Sequence, residues 1–400
     1  MSTETTSAVT PTRHEDPTVS AFARLTGFYV ASFAVLGAYM QFFPVWLHDV
    51  GGLGKREVTL VQSGQVWART LAGPLWAQRV DREGGAHRIL ILLSGLSIVA
   101  FLAFRLGHGM AWLTVCCVAF GLCYPPMHPI LDAFAMQTAH ERGFSYPRVR
   151  AFGSASFLVV IVAVGAMLEH VASHWIHPLL TVLLVLTAFA AWRLPRTVRP
   201  AAEPGRRAPL GALLRQPRFL LFLGAAGLVQ GSHGTFYALS TLHWRAHGIG
   251  EGLAGLVWAE GVVAEIVLFF AARAFFERLR PTTLILLGAA GAAVRWCALG
   301  VTTELGPLLA VNWLHALSFG CTYLGSLRYV RVRVDAAHQA TAQGLVGAAT
   351  SGVGMVVGML IGGAVYETAG GGAFLWMAGM AACGGAGAFV LRRRRGAPGA

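Results

Sequence analysis

Eight ionisable side chains stand inside long apolar runs: Arg69, His128, Asp132, His233, Glu260, Glu265, Arg295 and His315. At the centre of a membrane helix an Asp, Lys or Arg costs about 2.5–3.5 kcal/mol, so such a residue faces a cavity or a partner. Carboxylates and histidines near guanidinium groups in a low-dielectric cavity have a definite use. Burial favours the neutral acid and an adjacent arginine favours the carboxylate. A site alternating between those environments takes up a proton on one side of a barrier and releases it on the other. Asp132 and Glu265 are the best-placed carriers. Arg295, with His315 beside it in this set, and Arg150 supply the charges that displace the proton.

Helical spacing groups the remaining candidates. His128 and Asp132 are four apart and share one face, next to Pro125, Pro126 and Pro129, which break the backbone ladder. Gln230, His233 and Tyr237 follow i, i+3, i+7, and Asn312, His315, Phe319 and Tyr323 extend that pattern by a turn. Tyr29, Ser32, Leu36 and Tyr39 form a similar stripe. These stripes fall in the first, fourth, seventh and tenth apolar runs, which suits four helices lining one central cavity. Tyr29, His128, Arg150, Gln230, His233, Tyr237 and Asn312 are the candidate solute-binding residues, and Trp67, Trp258 and Phe236 stand ready to flank a ring. For a lone histidine such as His233 or His315 the alternative is a hydrogen bond to a neighbouring helix. Glu260 and Glu265 are five apart, about 140° around a helix, and point in different directions. Arg69 reads as one partner of a structural ion pair.

The elements that must hold these residues follow from composition. The 400 residues are 55% hydrophobic and 12% charged, with mean hydropathy +0.59, about half the roughly 25% charge of a soluble domain. Apolar runs lie at about 22–47, 58–78, 88–106, 110–138, 151–169 and 174–192, and again at about 218–244, 252–276, 282–303, 307–327, 337–366 and 370–391. Each can hold the 20 or so residues of a membrane helix. The expected organisation is a disordered tail (1–20), a six-helix half (21–192), a linker (193–217), a second six-helix half (218–391) and a basic tail (392–400). The linker carries Pro195, Pro200, Pro204, Pro209 and Pro217 among its arginines. Of the 31 Lys and Arg, only Lys55, Arg56, Arg105 and Arg245 fall on the side away from the N-terminus, and Arg69 and Arg295 fall within spans. That asymmetry puts both termini in the cytoplasm and accounts for the +13 net charge without nucleic acid. The halves also echo each other: Arg69 follows Gly52, and Glu265 follows Gly248, at the same interval. The six cysteines lie in apolar stretches without metal-ligand spacing, so neither a metal nor another cofactor is expected.

Gly73, Asp81-Arg82 and Arg88, in the cytoplasmic turn after the second run, resemble the loop signature of the major facilitator superfamily, a gating element to which Arg69 is adjacent. A wider match is to the 3-phenylpropionic acid transporter family of proton symporters, related to the lactose permease group. It rests on Phe42-Phe43-Pro44-Val45-Trp46-Leu47, Ala68-Arg69, Asp132-Ala133-Phe134-Ala135, Tyr146, Arg148-Val149-Arg150 and Gly153-Ser154. In the second half it rests on Gln230-Gly231-Ser232-His233, Gly261-Val262-Val263-Ala264-Glu265, Val294-Arg295-Trp296, Leu314-His315 and Leu327-Arg328-Tyr329. The resemblance implies an all-α membrane protein of twelve helices in two pseudo-symmetric halves. It implies alternating access and symport of a small organic solute with protons. The family's charged positions map onto Asp132, Arg150, Glu265, Arg295 and His315. The first three would contribute to solute binding and the last two to proton handling. Pro147, Phe152, His128 and Glu260 depart from the family pattern.

The expected function is therefore proton-coupled transport of a small solute, such as an aromatic carboxylate, by a monomer in the inner membrane. A drug or metabolite exporter and a sugar or nucleoside symporter share the same mechanics. A membrane solute sensor would bind without accumulating solute. No GxSxG, HExxH or P-loop motif points to an enzyme.

Overall fold

Pro17, its φ already suited to a first helical turn, opens the first helix inside the expected tail 1–20. The computed structural model describes residues 17–83, 85–195, 213–271, 278–335 and 338–393. Most of the expected tails and of the linker 193–217 lies outside them. The described chain is helical, with no strand. The first half comprises α1 (Pro17–Asp49), α2 (Lys55–Glu83), α3 (Ala86–Leu102), α4 (Gly109–Cys123), α5 (Met127–Arg142), α6 (Tyr146–Leu168) and α7 (Ile176–Trp192). The second comprises α8 (Pro217–Gly231), α9 (Gly234–Arg245), α10 (Glu251–Ala271), α11 (Pro281–Val301), α12 (Leu305–Asn312), α13 (Thr322–Arg333), α14 (Gln339–Gly347), α15 (Met355–Ala369) and α16 (Ala373–Arg393). Helix occupies all twelve expected runs, and eight stretches among the described residues are long and apolar enough to cross a membrane by length and composition.

Some runs are built from two pieces, for local reasons. The fourth breaks at Tyr124–Pro126, where consecutive prolines supply no N–H, and the Tyr124 hydroxyl closes the gap by donating to the Ser32 carbonyl of α1. The seventh breaks at Ser232–His233, and the tenth and eleventh contain wide π-helical turns at Ala316–Cys321 and Ala348–Gly354. By contrast, the Gly73/Asp81/Arg82 motif does not occupy a turn. It lies inside α2, which continues past Pro74 through good helix formers to Glu83. Arg82 is exposed there, and the Asp81 side chain lies outside the described residues.

α1 and the α8–α9 run end together at Asp49 and Arg245, so their first turns lie at the other end of the bundle, here called the linker face. The halves are alike in detail. Gly52 and Gly248, with φ of +68° and +85°, make the left-handed turns that join the first span of each half to its second. The halves meet where α2 lies against α15 and α6 against α10. Glycines permit these approaches. A Cβ on Gly255 of α10 would stand 2.7 Å from the Ile161 carbonyl oxygen of α6, and a methyl group on Gly363 of α15 would collide with the Thr59 hydroxyl of α2.

At the opposite face the halves are also tied by charge. Arg245, ending α9, donates through Nη1 to Asp49 Oδ2 at the end of α1 (2.7 Å) and to Glu251 Oε1 (3.2 Å), while its Nη2 holds Asp49 Oδ1. Arg56 pairs with Glu367 at 3.5 Å, and Lys55 Nζ reaches the Tyr366 hydroxyl at 3.5 Å.

Candidate functional site

Between the halves lies a cavity of about 580 Å³, lined from α1, α6, α9, α10, α11, α12 and the π-helical turn after α12. It extends to Tyr146 and Pro147, the first turn of α6, and so towards the linker face. Arg295 of α11 is 1% exposed; both of its Nη groups have partners, while the buried Nε has none among the described residues. Nη2 donates to Asn312 Oδ1 (2.5 Å), Nη1 contacts His315 Nδ1 (3.0 Å), and the plane lies 4.3 Å from the Phe236 ring centre and 4.7 Å from that of Trp296. Asn312 is fixed in turn by donating to the Val257 carbonyl. An arginine only donates, so His315 Nδ1 accepts and the ring carries its proton on Nε2. That nitrogen faces Glu265 Oε2 at 3.8 Å. Gly261, one turn before Glu265, permits the close approach of α10. A Cβ there would stand 3.0 Å from Asn312 Nδ2.

Arg295 thus reaches Glu265 only through a chain, Arg295–His315–Glu265. The reason is geometric: His315 occupies the space between the two charges.

Arg150 lines the same cavity from α6. It donates to Ser154 Oγ at 3.0 Å, and its guanidinium lies 4.2 Å from the centre of the Phe33 ring. Asp132 stands behind the lining, where Oδ1 accepts from the Tyr29 hydroxyl at 2.6 Å and the Tyr146 hydroxyl at 3.0 Å. His128 packs edge-on against Phe33 and Tyr124, with Nδ1 3.3 Å from the Pro125 carbonyl.

Four stripes in the first, fourth, seventh and tenth runs do not line one cavity as expected. The prolines turn the fourth run so that His128 and Asp132 support Phe33 and Tyr146 from behind. The fifth and eighth runs, α6 and α10, take its place in the wall. Gln230 and His233 are likewise behind the wall, bonded to the tenth run through the Phe319 carbonyl (3.3 Å) and Ser318 Oγ (3.1 Å). Tyr237, Phe236 and Trp258 do line the cavity, but Trp67 is 41% exposed on the outside of the bundle. Glu260 is outside the lining, in line with its angular offset from Glu265. Arg69 donates to the Ser351 carbonyl at 2.8 Å, and among the described residues no carboxylate pairs with it. The ion pair expected for it is replaced by this contact because the facing π-helical turn presents a carbonyl.

Phe33 was passed over in the sequence, and Tyr146 and Ser154 entered only through the family resemblance, not as site residues. Tyr146, Arg150 and Ser154 are spaced i, i+4, i+8 on one face of α6, the same signal that was legible elsewhere.

A helical bundle in two similar halves, around a largely apolar cavity that holds a few polar and charged side chains, defines a polytopic membrane transporter. The chain belongs to the MFS_1 like family, whose model matches residues 22–378, as the sequence resemblance led one to expect. It is 30% identical to a probable 3-phenylpropionic acid transporter of Escherichia coli K12, over 88% of this chain and 92% of that protein. It is 22% identical to a lactose permease of Klebsiella oxytoca, over 74% and 76%. Its fold matches a solved mutant of the nucleoside transporter NupG with TM-score 0.84 and 14% identity, covering 93% of this chain and 99% of that one. The protein is an integral membrane secondary transporter, and its relatives are transporters rather than enzymes.

Proposed function

We propose that the protein is a proton-coupled symporter of a small organic solute, an aromatic carboxylate of the 3-phenylpropionate kind, working by alternating access. It resides as a monomer in the inner membrane with the linker face cytoplasmic. The observation that carries this reading is the chain Arg295–His315–Glu265 along a cavity of about 580 Å³. It holds an imidazole N–H towards a carboxylate in a space that solute also enters. Phe236, Tyr237, Trp258 and Phe319 supply faces for a ring. The identity to a probable 3-phenylpropionic acid transporter supports the solute class.

Uptake of 3-phenylpropionate into proteoliposomes, with and without an inward proton gradient, tests this. Accumulation that requires the gradient is the expected result. Uptake that is indifferent to the gradient removes the coupling. No uptake by folded protein removes the solute. A second reading, a sugar or nucleoside as solute, is favoured by the hydrogen-bonding groups of Asn312, Tyr146 and Ser154 in the same lining. Competition of uptake by unlabelled sugars and nucleosides separates the two.

A further inference from the structure

A second cavity of about 260 Å³ adjoins the first and shares Leu36, Met40, Tyr237 and Phe319 with it. Its polar lining comes from Arg69, Gln62 and Gln65 of α2, with Tyr39, Tyr124 and Ser351. Among the described residues no Asp or Glu lines it. Gln62 is 5% exposed, and its buried Oε1 has no hydrogen-bond partner. Arg69 spends one donor on Ser351 and keeps the rest of a planar fork that matches a carboxylate bidentately. Arg69 also holds, in the first half, the position that Glu265 holds in the second, counted from the left-handed glycine that opens each hairpin.

The larger cavity suits a carboxylate less well. Glu265 lines it, Asp132 lies just behind Tyr146, and like charges repel strongly at low dielectric. Arg295 is already committed to His315 and Asn312, and Arg150 is covered on one face by Phe33. Taking up the reading that the solute is an aromatic acid, and resting on it, we infer that Arg69 is the seat of the solute's carboxylate. The aromatic ring then lies at the junction of the two cavities, against Tyr237 and Phe319. Arg150 and Arg295 serve the proton site and the cavity wall rather than the solute's charge.

The test is equilibrium binding to the purified full chain of 3-phenylpropionate and of its neutral isostere 3-phenylpropionamide, read by tryptophan fluorescence. The wild type should prefer the acid. Arg69→Gln should weaken acid binding by roughly tenfold to a hundredfold, the range for losing a charge-assisted bond. It should leave the amide within about twofold and so abolish the preference. Arg69→Lys keeps the charge but loses the fork. It should fall between, and provides a folded comparison should the glutamine variant not assemble. A preference for the acid that survives both substitutions overturns the assignment while leaving the aromatic-acid reading intact. Equal loss of acid and amide also overturns it, since that marks a structural role. A wild type that binds neither compound removes the solute class and this inference together.

Discussion

His315 is held in one tautomer by an arginine that has nothing to accept with, and that arrangement makes its own demands. Replacing His315 with leucine strips Arg295 of a buried acceptor. The expected loss is roughly 1–3 kcal/mol of stability, the range for an orphaned buried polar group. Glutamine offers both an acceptor and a donor and should restore most of it. Thermal unfolding in detergent, leucine against glutamine, measures the difference. A second prediction follows from the order of contacts. Double-mutant cycles should give a coupling of at least about 0.5 kcal/mol for Arg295 with His315, and less than that for Arg295 with Glu265, because only the first pair touches. Transport should be lost in Glu265→Gln, because the amide cannot carry the proton. Solute binding that survives in that variant would localise the defect to coupling. The ionisable residues themselves were legible in the sequence, since charge in an apolar run is conspicuous. Their partners were not. Spacing along one helix says nothing about which residue of another helix stands opposite, and so the imidazole standing between Arg295 and Glu265 was not legible.

At the scale of helices, Gly354, Gly358 and Gly362 recur every four residues in the eleventh run, a spacing that lets helices approach closely without saying which helix approaches. Gly354 and Gly358 prove to be pressed against Gly227 and Gly231 of α8, while Gly352 and Gly363 face Thr70 and Thr59 of α2. One stretch of chain therefore packs within its own half on one side and across to the other half on another. Gly358→Ala should cost roughly 1–3 kcal/mol, as overpacking does. Gly224→Ala, where nothing lies within 4 Å, should be neutral or stabilise by up to about 1 kcal/mol through helix propensity. Parallel melting curves of the two variants check this contrast. The proline break in the fourth run was readable because a missing N–H is a property of the residue. Its effect, the withdrawal of Asp132 and His128 behind the wall, depends on the direction the chain takes after the break. After the break Tyr124 reaches Ser32, a contact between residues far apart in sequence that spacing along one run does not reveal.

For the molecule as a whole, the arrangement of spans and the division into halves were present in the hydropathy and the arginine distribution. The state in which the bundle rests was not. Three of the four cations on the far side, Lys55, Arg56 and Arg245, turn out to reach across the halves. They do so while the main cavity extends the other way. The Arg245–Asp49 pair is partly exposed, so its net worth is of the order of 1 kcal/mol or less. Arg245→Ala should accordingly shift the balance between the two open states by up to about fivefold. Accessibility of a cysteine placed next to residue 49 to a membrane-impermeant thiol reagent reports the shift. The exchanged pair, Asp49→Arg with Arg245→Asp, should reverse most of it.

Those bridges stand at the rim, in contact with the medium on one side of the membrane only, and carry a consequence for where the transporter works. Electrostatic attraction there reaches about 30 Å in 0.01 M salt and about 8 Å in 0.15 M. Glu265 and its neighbours lie away from that rim, in the cavity that extends towards the linker face. A dilute medium should therefore hold the molecule shut on that side, and a briny one should loosen it, at constant solute and constant pH. The protein would answer to the ionic strength of one compartment and be indifferent to that of the other, a polarity of response that vesicles with unequal salt on their two sides would expose.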